Sequence, residues 1–80
     1  MTRIVVKRRW IMPLLNCVKM YREEKGISQT ELGKLCGVSR QTISSIERGD
    51  YHPSVVLALR IARIFGKTVE DLFSWEEEEV

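Results

Sequence analysis

Residues 28–49, SQTELGKLCGVSRQTISSIERG, leave room for two helices and almost none for joining them. Ser28 is a natural N-cap and Glu31 stands three positions on, the spacing at which a hydroxyl and a carboxylate cap a helix start reciprocally. The first helix then runs through Leu32 and Leu35 to Cys36. Gly37 falls where the backbone must turn left-handed to stop. Val38 and Ser39 follow at once, with Ser39 as the next cap, so a second helix lasts to about Arg48 before Gly49 closes it. Helices this short do not hold alone in water. The pair must pack on the rest of the chain.

The second helix has two distinct sides. At about 100° per residue, Ile43 and Ile46 share one face, while Gln41, Ser44, Ser45 and Arg48 point the other way. Arg40 sits at the exposed N-terminal end, and Glu47 falls toward the apolar flank. The outer face combines short hydroxyls with long donors and carries no acid. Arginine and glutamine near a helix N-terminus are the residue types that pair with guanine and adenine edges in a major groove. Composition alone leaves a solvated face on a small helical protein equally open.

The ordered set of residues goes further. Gln29, Leu32, small Gly33, Gly37 in the turn, Val38, Ile43, Ile46 and the closing Glu47, Arg48 and Gly49 resemble the helix-turn-helix of the phage repressor and Cro type, the Xre family. The likeness spans residues 16–73. Gly33 suits a close helix crossing, although the family more often has alanine there, and glycine costs a helix about 1 kcal/mol.

Length and charge bound the rest. Eighty residues allow one domain with a modest core. No apolar run reaches membrane-spanning length, and the N-terminal segment does not read as a secretion signal. Cys17, Cys36 and His52 fit no metal-ligand spacing, so neither a metal nor a cofactor is expected. A reducing cytoplasm is the expected setting, and the resemblance implies a prokaryotic one. Residues 1–67 hold all 13 Lys and Arg against five acids, a balance of +8, and residues 68–80 hold six acids and no base, −6, giving the formal +2. A basic body suits a polyanion, while the acidic end should stand clear of one.

Three segments follow: an extension over residues 1–13, a helical domain over 14–75, and an acidic tail over 76–80, expected to fray. In the extension, β-branched Ile4, Val5 and Val6 precede Lys7, Arg8, Arg9 and Trp10. It reads as a strand pairing with its twin in a dimer, a basic arm, or a loose end. A helix over 13–25 is expected next, with Leu15, Val18 and Tyr21 inward. A later helix starts after Ser54, with Val55, Leu57, Ala58, Ile61, Ala62 and Phe65 forming its apolar stripe. A last one covers 69–75 after Thr68. The segment of Ile4, Val5 and Val6 with Trp10, and the end of the last helix with Leu72, Phe73 and Trp75, are candidate surfaces for self-association. The protein's own core is the other place for the aromatics, and the expected one for Phe73.

The resemblance implies an all-α, five-helix, lambda-repressor-like DNA-binding domain with a short extended N-terminal segment. It implies a transcriptional regulator acting as a repressor, and not an enzyme. Its partner would be double-stranded DNA bearing a two-fold operator, read by a homodimer. Arg40, Gln41 and Ser45 match base-contacting positions, with Thr42 and Ser44 adding contacts; Gln29, Arg48, Tyr51 and Ser54 match phosphate-binding ones. Arg22 aligns with an arginine that pairs with the glutamate at Glu47. Asp50 stands where the family usually has a basic residue. A rival reading keeps the fold but makes the chain an antitoxin or another protein-interaction module.

Overall fold

Hydroxyl side chains set where most of the helices begin. The computed structural model describes residues 8–79, which run β1 (Arg8–Asn16), α1 (Val18–Lys25), α2 (Gln29–Cys36), α3 (Arg40–Arg48), α4 (Val55–Phe65), α5 (Val69–Leu72) and β2 (Phe73–Glu79). Ser28, Ser39, Ser54 and Thr68 cap α2 to α5, each accepting from the backbone N–H three residues on. Gly37 ends α2 at φ 79°, handing the chain to α3 within three residues. This is the five-helix domain expected from the sequence.

Both ends of the helical domain are shorter than the sequence suggests. The helix expected from residue 13 starts at Val18, because the chain stays extended through Asn16. Asn16 explains the boundary: its Oδ1 accepts from the Val18 N–H at 3.1 Å and its Nδ2 donates to the Ile46 carbonyl at 2.8 Å. Pro13 lies where the strand register is irregular, between Ile11 and Leu15, a place that tolerates a residue with no N–H. Leu15 is therefore a strand residue with its side chain exposed, rather than a core residue. The last helix stops at Leu72 instead of residue 75, and Phe73 turns extended at φ −128°, ψ 140°.

β1 and β2 pair antiparallel within the chain, from Asn16↔Phe73 at the base to Arg8↔Glu79 at the far end. β1 is thus paired with the chain's own C-terminal segment, and residues 76–79 are strand, not frayed tail. The register sets Arg8 opposite Glu79 and Arg9 opposite Glu78. Cys17 N–H donates to the Leu72 carbonyl at 2.9 Å, fastening the sheet's base to the helices. Ile4, Val5 and Val6 lie outside the described residues.

Val18, Leu32, Cys36, Ile43, Ile46, Leu57, Ile61, Ala62 and Leu72 form the core, drawn from all five helices. Burial pushes the Cys36 thiol above its ordinary pKa. Tyr21 packs its ring 6.1 Å from that of Phe65. Val55 departs from the expected stripe at 75% exposure. As the first residue after the Ser54 cap it lies beyond the core and borders a shallow apolar groove with Leu14, Phe73 and Trp75.

Reciprocal caps also give the fold an acid-sensitive term. Hydrogen bonds from Ser28 to Glu31, and from Thr68 to Asp71, hold both carboxyls below their ordinary range. A depressed folded-state pKa contributes stability that is complete above the ordinary carboxylate range and is lost as pH falls through the lowered values. Thermal melts of Glu31→Gln and Asp71→Asn from neutral to acid pH should therefore decline less steeply than those of the parent. An unchanged slope in both variants would contradict this.

Candidate nucleic-acid interface

The position of α3 is fixed from behind. Gly33 of α2 is buried, and a Cβ there would lie 2.7 Å from the Val38 carbonyl oxygen, so the turn passes directly against the α2 backbone. Ile43 and Ile46 anchor the inner face of α3. Glu47 is drawn inward as well: its side chain is 4% exposed and that of Arg22 is 11%. Arg22 Nε donates to Glu47 Oε2 at 2.6 Å and its Nη2 to Oε1 at 3.2 Å, while Nη1 reaches the Ile27 carbonyl at 2.9 Å. The bond to Glu47 raises the Arg22 pKa above its already high ordinary value. One guanidinium thus joins α1, the loop before α2, and the end of α3.

This polar chain continues to the surface. Gln29 Nε2 donates to Glu47 Oε1 at 3.0 Å, which turns its Oε1 outward to accept from Arg40 Nη1 at 3.1 Å. Arg22, Glu47, Gln29 and Arg40 therefore form a continuous line from the interior to the N-terminus of α3. Arg40 is exposed at its end.

On the outer side of α3 lies an open groove of about 460 Å³ lined by Arg40, Gln41, Ser44, Ser45 and Arg48. Its lining is polar, carries two guanidinium groups and has no carboxylate. Four of the five expected base-contacting residues meet here; Thr42 does not line the groove and holds its hydroxyl 3.1 Å from that of Ser39. Arg48, expected at the phosphates, also lines the groove. Tyr51 is 48% exposed, and Ser54 is occupied with the cap of α4, accepting from the Leu57 N–H at 3.1 Å. His52 Nε2 is 3.5 Å from the Leu14 N–H, at the edge of hydrogen bonding.

Three supporting residues escape a reading of the sequence. Asn16 ties β1 to the end of α3, and no helical spacing marks it. Arg60 donates to the Cys36 carbonyl at 3.2 Å, bracing the turn between α2 and α3; it lies off the apolar stripe of α4. Asp50 pairs with Arg48 at 2.9 Å, a contact across a helix end rather than along a face.

Two helices crossing at a glycine, the second with its polar side open, constitute a helix-turn-helix. The chain belongs to that family, in its Xre branch: the helix-turn-helix family model matches residues 18–72, from the start of α1 to the end of α5. It is 48% identical over 64 residues to an HTH-type transcriptional regulator of Methanocaldococcus jannaschii, covering 80% of this chain and 97% of the relative. It is 52% identical over 64 residues to the HTH-type transcriptional regulator YgzD of Bacillus subtilis, covering 80% and 96%. The N-terminal DNA binding domain of SinR from Bacillus subtilis superposes with a TM-score of 0.61 at 35% identity, over 66% of this chain and 78% of that one.

Proposed function

We propose that this protein binds double-stranded DNA through α3 and acts as a transcriptional regulator, a repressor, with no catalytic step of its own. The observation that carries the reading is the acid-free groove over Arg40, Gln41, Ser44, Ser45 and Arg48. In a helix-turn-helix the second helix enters the major groove with its N-terminal residues at the base edges. Arg40, Gln41 and Ser45 are the base readers, with Ser44 and Thr42 beside them. Gln29, Tyr51 and Ser54 hold flanking phosphates. The Gln29 amide is engaged by Glu47 and Arg40, so its backbone N–H at the start of α2 makes the contact.

One domain of this size spans few base pairs, so specificity calls for a homodimer on a two-fold operator, with half-sites about 34 Å apart. Sedimentation of the protein alone and with a two-fold duplex reads the stoichiometry. A monomer under both conditions contradicts the dimer.

Binding to mixed-sequence duplexes at two salt concentrations tests the function itself. A DNA reader loses affinity steeply as salt rises, whereas a protein-interaction module binds little at either concentration. On a selected operator, Arg40→Ala should cost about 1–3 kcal/mol and relax the preference at one base pair. Uniform weakening on every sequence would move Arg40 to the backbone.

A further inference from the structure

Arg48 is folded back along α3. Its Nη1 donates to Ser44 Oγ at 2.6 Å, its Nη2 to Ser45 Oγ at 3.3 Å, and its Nε to Asp50 Oδ2 at 2.9 Å. Helical side chains lean toward the N-terminus. The bonds to residues three and four positions back carry this guanidinium about one turn ahead of its own Cα, into the groove shared with Arg40 and Gln41. An ion pair with side chains 58% and 64% exposed contributes little to stability. Its effect is to select one arrangement for a side chain with large rotamer freedom.

The count of donors shows what that arrangement presents. A guanidinium has five N–H groups, and these three bonds use one on each nitrogen. One N–H remains on Nη1 and one on Nη2. Donors on the two terminal nitrogens are the groups with which an arginine pairs the O6 and N7 acceptors of guanine in the major groove.

We propose that Arg48 reads a guanine edge, and that Asp50 is the positioning residue that holds it in the groove and away from the phosphates. The inference rests on the DNA-binding function proposed above and adds a specificity-determining pair to it. Asp50 acts twice, by satisfying the charge of Arg48 that a phosphate would otherwise attract and by repelling phosphate itself. This gives a role to an acid at the border of a basic reading face, where it would otherwise only weaken binding.

The test starts from a duplex selected from random sequence by the parent protein, together with versions altered one base pair at a time. Arg48→Ala and Arg48→Lys should each lose roughly tenfold to a hundredfold on the selected duplex. Both should lose almost nothing once the relevant guanine is replaced. Asp50→Asn should lose discrimination at that same base pair and bind unrelated duplexes more tightly. Its salt dependence should steepen by about one unit of slope as the freed guanidinium finds a phosphate. Unchanged melting temperatures in Asp50→Asn and Arg48→Lys would show that folding is not the cause. If Arg48→Ala weakens every duplex equally and Arg48→Lys restores binding, Arg48 is a phosphate contact and the inference falls. It falls too if Asp50→Asn keeps the parent's preference at that position. A parent protein that binds no duplex at either salt concentration overturns the proposed function, and this inference with it.

Discussion

Arg22→Ala is expected to lower the unfolding free energy by about 3–5 kcal/mol, because it leaves the inward-turned Glu47 carboxylate without its countercharge. The size follows from geometry. Glu47 is almost wholly covered, and both of its oxygens accept from Arg22. The variant also strips a donor from the Ile27 carbonyl. Against a typical total stability of about 5–15 kcal/mol, such a loss leaves little margin. Denaturant midpoints give the measurement. A double variant, Arg22→Met with Glu47→Leu, should recover much of the loss, since a buried pair replaced whole by apolar groups is often neutral. Retention of the parent's midpoint by Arg22→Ala would show that the pair is not structural. The effect should reach the surface as well, because Arg22 holds Glu47 in place, Glu47 holds Gln29, and Arg40 is oriented through Gln29.

That line of contacts also separates what the sequence reveals from what it conceals. Features decided within one helical turn are legible: the caps at Ser28, Ser39, Ser54 and Thr68, the stop at Gly37, and the division of α3 into Ile43 and Ile46 against Gln41, Ser44 and Ser45. Each depends on spacings of three or four residues, which a helix converts directly into neighbours. The sheet is different. Four successive glutamates have weak strand preference, and they become strand only because β1 lies beside them from the other end of the chain. Pro13 suits the first turn of a helix as well as an irregular strand, so the start of α1 rests on Asn16 and its distant partner Ile46. The Arg48–Asp50 contact is concealed for a related reason. Residues two apart do not face one another on a helix. They meet here because Gly49 turns the chain back at φ 82°.

Gly33→Val should be among the most damaging single changes in the chain, costing about 3 kcal/mol, the upper part of the range for overpacking. The first added carbon would meet the Val38 carbonyl oxygen at 2.7 Å and the Ser39 carbonyl group at 3.3 Å. All of these are backbone atoms, so no side chain can swing away. Val38 cannot retreat freely either, because its N–H donates to the Gly33 carbonyl at 2.9 Å. Gly33→Ala sets the same first clash against about 1 kcal/mol of improved helix propensity, and should fall nearer to neutral. Valine adds two methyl groups to the clash and forgoes most of that gain. To accommodate it, the start of α3 must move away from α2, and the 3.1 Å bond between Arg40 and Gln29 spans that gap. DNA affinity should therefore fall by more than the unfolded fraction accounts for. Binding measured where the variant is still folded separates the two effects. If Gly33→Val keeps both its denaturation midpoint and its affinity, the close crossing does not set the reading angle of α3.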